Sequence, residues 1–167
     1  MDQGFAGVRV ARPEDEDEIV SLILLLHSEN GMFTAVEEYI RDEVRRLTHK
    51  DGGLIGVIDG ESGKIEGTVG FDISSWWYTD DLCINEKWNF VHPDHRRTTH
   101  AKRLIEFGKW CSDQLKIPLF MGIITNDRTE AKERLYRRQL HRIGGYFTHG
   151  FDLEHISRLR DHGLQQG

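Results

Sequence analysis

Basic residues are outnumbered: the chain has 22 Lys and Arg against 28 Asp and Glu, for a formal net charge of −6. A general nucleic-acid binder carries the opposite balance, so that class is set aside, although a local basic pocket for a phosphate is not. Cysteine is scarcer still. Cys83 and Cys111 are the only two, far apart and outside any C-x-x-C pattern, which argues against both a disulfide framework and a zinc ribbon. No apolar run approaches the roughly 20 residues that cross a bilayer. The opening Met1-Asp2-Gln3-Gly4 has neither the basic nor the apolar region of a secretory leader. A cytoplasmic protein that binds neither membrane nor nucleic acid is expected. The chain lacks G-x-x-x-x-G-K-[ST], and no G-x-G-x-x-G follows a strand, so two common nucleotide-binding signatures are excluded. Low-complexity tracts, internal repeats and composition shifts that would mark a linker are also missing. The nine histidines invite a metal reading, but His92, His95 and His100 belong to a turn and a helix start, and no metal site is expected.

What is present suffices for a packed core. The chain has 167 residues, 38% of them hydrophobic, and a domain of this size hides roughly 70% of the surface its unfolded chain exposes. A single domain over residues 1–167 is the natural reading, with a core at about 8–153 and a C-terminal tail over 154–167.

Only three prolines occur, and each falls at an element boundary. Residues 8–12 read as a short first strand. Pro13 suits a first helical position, and the acidic run 14–18 favours the positive end of a helix. Ile19, Leu22, Ile23 and Leu26 follow at helical spacing and Asn30-Gly31 stops the helix. Thr34-Ala35-Val36-Glu37 forms a capping box for a second helix with Val36, Ile40, Val44 and Leu47 on its apolar face. Residues 54–58 and 65–73 are strands joined by a Gly-rich turn beginning Asp59-Gly60, a hairpin signal. After a loop with Trp76-Trp77-Tyr78, residues 84–91 form another strand. His92-Pro93 ends it, because proline cannot donate to a ladder. A helix then carries Ala101, Leu104, Ile105, Gly108, Cys111 and Leu115 on one face. Pro118 marks its exit. Residues 119–124 read as a short strand covered on both faces, Asp127 to Glu130 starts a last long helix through Leu135 and Tyr136, and residues 146–153 return as a final strand. The order β-α-α-β-β-β-α-β-α-β predicts an α+β domain with a mixed sheet. Cys111 is expected in the core and Cys83, near a strand start, at the surface.

The stretch that carries chemistry is Phe90-Val91-His92-Pro93-Asp94-His95-Arg96-Arg97-Thr98-Thr99-His100-Ala101. It runs from strand through polar turn to helix start. A helix N-terminus offers unpaired N–H groups and partial positive charge, the two features that bind phosphate. Arg96 and Arg97 add cationic forks, Thr98 and Thr99 add hydroxyls, and the small Ala101 lets a ligand approach. A capped helix with solvated arginines reads equally well from these residues alone.

This stretch resembles motif A of the GCN5-related N-acetyltransferases, in which a strand ending in Val leads to R/Q-x-x-G-x-G/A at a helix start. Arg96-Arg97-Thr98-Thr99-His100-Ala101 fits that frame, with Thr99 in place of the first Gly. The wording V-H-P-D-H-R-R-T-T-H-A-K is similar to a subgroup found in phage and prophage genomes. The resemblance covers about residues 8–153, supported by Asn126 after the next strand and Leu135-Tyr136 on the next helix. It implies a mixed, mostly antiparallel central sheet flanked by helices, with a splayed parallel strand pair, here 84–91 and 119–124. It implies acetyl-CoA as co-substrate, its pantetheine arm along the first of these strands and its pyrophosphate on the loop 96–101. Phe90, Val91, Arg96, Arg97, Thr98, Thr99, His100, Ala101 and Asn126 are the cofactor-binding candidates. Tyr136 matches the tyrosine that protonates the departing thiolate, with His141 as a competitor by spacing. Glu86 occupies the place of a carboxylate base, and a strand N–H near Phe90 or Val91 would stabilise the oxyanion. Asp72, Asp80 and Asp81 are weaker carboxylate candidates, and Trp76, Trp77 and Tyr78 fall where an acceptor-facing loop is placed. The implied activity is N-acetylation of a primary amine by direct attack on the thioester. The alternatives are a non-catalytic acyl-CoA-binding module and a plain interaction protein. The acceptor is unidentified, and a homodimer is left open.

Overall fold

A computed structural model of the chain describes residues 4–123 and 128–149. One sheet carries β1 (Arg9–Val10), β2 (Gly53–Asp59), β3 (Ile65–Ser75), β4 (Leu82–Val91) and β5 (Leu119–Phe120), in that spatial order. The first three pairings are antiparallel, and β4 with β5 is parallel. The helices are α1 (Glu16–Asn30), α2 (Glu37–Thr48), α3 (His100–Leu115) and α4 (Thr129–Gln139). The architecture is thus the expected mixed, mostly antiparallel α+β sheet with one parallel pair.

Strand alternation divides the core into two halves. Ile55, Val57, Trp88 and Phe90 pack with Ile19, Val20 and Ile23 of α1 and with Val44 and Leu47 of α2. Leu54, Ile58, Val69, Phe71, Ile84 and Val91 face the other way, against Leu104, Phe107 and Cys111 of α3. Successive strand residues point to opposite faces, so one sheet serves both helix layers. Gly108 lets α3 come close: a Cβ there would stand 2.7 Å from Cζ of Phe71.

The acidic run does open a helix, preceded by a 3-10 turn over Pro13–Asp15. Its carboxylates also tie α1 to its surroundings. Asp15 binds the Arg9 guanidinium at 2.7 and 2.9 Å and accepts the Arg12 N–H at 2.8 Å. Glu16 accepts from the Thr48 hydroxyl at 2.8 Å, and Glu18 from the Ile65 N–H at 2.6 Å.

Four expectations are corrected. No Thr34 capping box forms: α2 begins at Glu37 with Val36 as its cap residue, because the Glu37 carboxylate is bonded to Arg41 at 2.9 Å instead of reaching back. Cys83 is buried, its thiol donating to the Ser74 carbonyl at 3.2 Å. Among the described residues the strand expected at 119–124 is confined to Leu119–Phe120, and residue 124 lies outside them. It stops where the Gly122 N–H, in place of a ladder bond, goes to the Glu86 carboxylate at 3.2 Å. Residues 146–149 carry no strand, and Tyr146 and Phe147 stay exposed; β5 offers a ladder of only two residues, and positions 150–153 lie outside the described residues.

Candidate active site

The site grows out of an irregularity in β4. Gly70 on β3 pairs with Trp88, but Phe71 pairs with Glu86. Lys87 is therefore an extra residue, a β-bulge of the kind that re-aims side chains. Residues three apart on a regular strand point to opposite faces. Here the bulge brings Glu86 and Asn89 to the same face, that of Ile84 and Val91. Gly70 makes room at the bulge, since a Cβ would lie 2.5 Å from the Trp88 ring.

Tyr136, on α4, reaches that face. Its hydroxyl donates to Glu86, lying 2.9 Å from Oε1 and 3.0 Å from Oε2, and accepts from Asn89 Nδ2 at 3.1 Å. The fourth partner is the Gly122 N–H on Glu86 Oε2. Two residues named from the sequence, Glu86 and Tyr136, are thus in direct contact. Asn89, Gly122 and Lys132 were missed. Their roles depend on the bulge and on how α4 docks, neither of which has a local sequence signal.

Burial pushes the Glu86 carboxyl up to about 7, although the bonds from Tyr136 and Gly122 and the charge of Lys132 pull the other way. The Tyr136 hydroxyl is held well above its usual value by burial and by the neighbouring Glu86 charge. A carboxyl near 7 beside a neutral phenol puts a proton acceptor and a proton donor in contact, an arrangement that acid–base chemistry near neutral pH can use. His141 is exposed past the end of α4 and makes no hydrogen bond to the pair.

This pair stands where two strands part. β4 and β5 are paired at Ile84 with Leu119 and Asn85 with Phe120, and nowhere beyond among the described residues. From Glu86 to Val91, β4 has β3 on one side and, among the described residues, no strand on the other. Where it faces away from β3, its backbone can bond an extended ligand, although the Val91 carbonyl already accepts from Arg96 at 3.4 Å.

At the far end of β4, Phe90 and Val91 bury their side chains and leave only backbone for a ligand. The turn after them is built from its own side chains. Arg96 is ion-paired with Glu29 of α1, lies over the Phe90 ring at 5.6 Å and donates to the Val91 carbonyl at 3.4 Å. Thr98 donates to the His95 carbonyl at 2.6 Å and accepts the His100 N–H at 3.2 Å. His100 turns inward, bonded to Glu66 of β3 at 2.6 Å. Glu66 also lies 3.4 Å from His95, a brace that no spacing in the sequence announces.

Three residues of the loop remain outward. Arg97, Thr98 and Thr99 are exposed, and Arg97 forms no ion pair among the described residues. Thr99, standing where the resembled motif has glycine, has φ −87° and ψ 7°, an ordinary conformation for a residue with a side chain. The backbone N–H groups of Thr99, Ala101 and Lys102 meet no protein acceptor among the described residues. Half-buried Ala101 packs toward the core. The arrangement is an open helix N-terminus with one free guanidinium, which fits an anion such as a pyrophosphate. Asn126 lies outside the described residues.

Near β5, Trp76 packs edge-on against Phe120 at 5.5 Å and against Tyr78 at 6.3 Å, and Trp77 is 93% exposed. Asp72 is taken by Arg46 at 2.8 Å, whereas Asp80 and Asp81 are exposed. Cys111 is core, and burial pushes its thiol up to about 12. Among the described residues no group of three or more His, Cys, Asp or Glu is arranged to hold a metal ion, and no helix is long and apolar enough to cross a membrane.

No protein-family model and no curated protein matches the sequence. Solved structures do share the fold. One is described as a possible acetyltransferase from Clostridium difficile 630, with TM-score 0.68 and 15% identity over 87% of this chain and 96% of that one. Another is a ribosomal-protein-alanine N-acetyltransferase from Brucella melitensis biovar Abortus 2308, with TM-score 0.65 and 16% identity over 85% and 96%. A third is an aminoglycoside acetyltransferase from an uncultured soil metagenomic sample, with TM-score 0.61 and 19% identity over 85% and 95%. At these identities the likeness establishes the fold alone, that of the GCN5-related N-acetyltransferases.

Proposed function

We propose that this chain is an acetyl-CoA-dependent N-acetyltransferase acting on a primary amine. The observation that carries the reading is the Glu86–Tyr136 pair, set in the opening between β4 and β5. On the loop wording alone we group it with the phage and prophage members of the resembled superfamily.

Each part of the reaction has a residue of this chain to serve it. Arg97 and the free N–H groups at the start of α3 bind the pyrophosphate of acetyl-CoA. The unpaired edge of β4 aligns the pantetheine arm, and an N–H near Phe90 or Val91 faces the thioester oxygen as negative charge develops. One such donor is typically worth about a hundredfold or more in rate. Glu86, ionised above its midpoint, removes a proton from the amine nitrogen. Tyr136 holds a proton for the sulfur. Acetyl-CoA supplies the activated acetyl group, and catalysis otherwise rests on orienting the two substrates.

The test has two stages. Millimolar acetyl-CoA is expected to raise the melting temperature in a concentration-dependent way, since a ligand that binds only the native state stabilises it. No shift would remove the co-substrate from the reading. Thiol release is then followed with a broad panel of primary amines. Binding without thiol release from any amine would favour an acyl-CoA-binding module.

A further inference from the structure

The hydrogen bonds around Tyr136 have a direction. An amide Nδ2 only donates and an ionised carboxylate only accepts. The phenol therefore takes the Asn89 N–H on its lone pair and gives its one proton to Glu86, at 2.9 and 3.0 Å. The groups that face the carboxylate are the Gly122 N–H from beyond β5, Lys132 and Tyr136 from α4, and Phe71 opposite it on β3. A phenol proton already committed to Glu86 leaves for another acceptor at little cost only if Glu86 returns one.

From this geometry we propose that Glu86 and Tyr136 act as a single relay. It carries one proton from the acceptor nitrogen to the departing thiolate, and Asn89 is the positioning residue that fixes the phenol's direction. The proposal rests on the acetyltransferase reading above. The protons balance as follows. An ammonium acceptor first loses one proton to water. The amine lone pair forms the N–C bond to the thioester carbon, and the C–S bond breaks with its electron pair on sulfur. The Glu86 carboxylate takes the second nitrogen proton, Tyr136 passes its own proton to sulfur, and the proton on Glu86 crosses to the phenolate. Amide, free thiol, ionised Glu86 and neutral Tyr136 remain, with no further reactant needed.

The acidities favour the coupled transfer. A phenol held well above its usual value is a poor donor to an alkyl thiolate, since even a free cysteine thiol titrates at about 8.5, below an ordinary phenol. A carboxylic acid with a midpoint of about 7 is a better one. The raised midpoint of Tyr136 opposes transfer from the phenol alone, and a proton returned by Glu86 offsets that.

A double-mutant cycle decides the matter, with acetyl-CoA and the best amine from the panel. Glu86→Gln and Tyr136→Phe should each lower kcat by about 10² to 10⁴. If the two form one relay, the double variant falls no further than the worse single one, within about threefold. Losses that multiply would overturn the relay. Asn89→Leu should lower kcat about tenfold at unchanged KM for acetyl-CoA, and Asn89→Gln should recover part of it; a loss confined to KM would remove Asn89 from the role. A readout without turnover is the ¹³C signal of the tyrosine Cζ carbons. Tyr136 should show a step with a midpoint near 7 that vanishes in Glu86→Gln, and absence of that step in the parent would overturn the pairing. No thiol release by the parent with any amine is a different result. It removes the acetyltransferase reading, and the relay with it, even where the step is seen.

Discussion

Arg96 and Glu29 form an ion pair across 67 positions of sequence, so the turn that opens α3 is fastened to α1 on the opposite layer of the sheet. Of the two guanidiniums that the sequence offers to a phosphate, Arg96 is thus already engaged, and the adjacent Arg97 is the outward one.

From this relationship, Arg96→Ala and Glu29→Gln are expected to behave alike. Each should lower stability by about 1 kcal/mol, as for a partly exposed pair, which is about 2–4 °C in melting temperature for a domain of this length. Both should also weaken CoA binding by loosening the turn. Arg97→Ala should weaken CoA binding with no change in melting. Calorimetric titration beside thermal melts separates the two patterns, and a melting loss in Arg97→Ala alone would reverse the assignment.

Thr99 allows an experiment in which stability and affinity move apart. Thr99→Glu puts negative charge at the start of α3, which favours the free helix by about 0.3–1 kcal/mol while repelling a pyrophosphate. Melting should hold or rise slightly as CoA affinity falls. Thr99→Gly should leave affinity within about threefold, because Thr99 already sits at φ −87°. Unchanged affinity in Thr99→Glu would mean that the helix start binds no anion.

Glu86 should make the protein less stable as pH rises. Its folded midpoint of about 7 lies above the ordinary carboxyl value of 4.5, chiefly through burial. The folded state therefore binds the proton more tightly. The stability contributed by protonated Glu86 is full below about 4.5 and is lost as pH climbs through about 7. Glu86→Gln should accordingly melt higher than the parent at pH 8, by an amount that shrinks toward pH 5. In the active enzyme the same midpoint should appear as a rise in kcat/KM with pH, absent in Glu86→Gln. Melts and rate profiles across pH 5 to 9 check both.

Packing at Gly108 connects the core to the site. Gly108→Ala gains helix propensity worth about 1 kcal/mol, but its Cβ meets Phe71, the cross-strand partner of Glu86. Overpacking of this kind typically costs about 1–3 kcal/mol. A net loss in urea unfolding is expected, with a shift in the Tyr136 signal. A net gain would show that α3 moves away without strain.

Much of this was readable in the chain because it depends on local patterning. Leu54, Ile55, Val57 and Ile58 alternate between the two core halves as a strand must. Pro13, Asn30-Gly31 and Asp59-Gly60 punctuate where their backbone chemistry requires. Glu86 and Tyr136 were named through a resemblance, and the structure brings them into contact. What escaped depends on long-range choices. Thr34 and Glu37 have the spacing of a capping box, but Arg41 competes for the carboxylate. Asn89 looks like any strand amide until Lys87 bulges. Glu66 braces His100 from 34 residues away, and nothing near either residue in the sequence says so.

The two-residue ladder between β4 and β5 makes the candidate site a joint. Among the described residues β5 has only those two rungs on β4, and segments with few backbone hydrogen bonds open locally at a cost below that of melting the domain. Glu86 belongs to the stiff arm, with β3 bonded along its length, whereas Gly122 and Tyr136 belong to the arm that carries β5 and α4. The contact of carboxylate and phenol, at 2.9 and 3.0 Å, therefore spans the two arms and depends on how they are held together. Whatever wedges or closes the joint also sets how strongly the two groups share a proton.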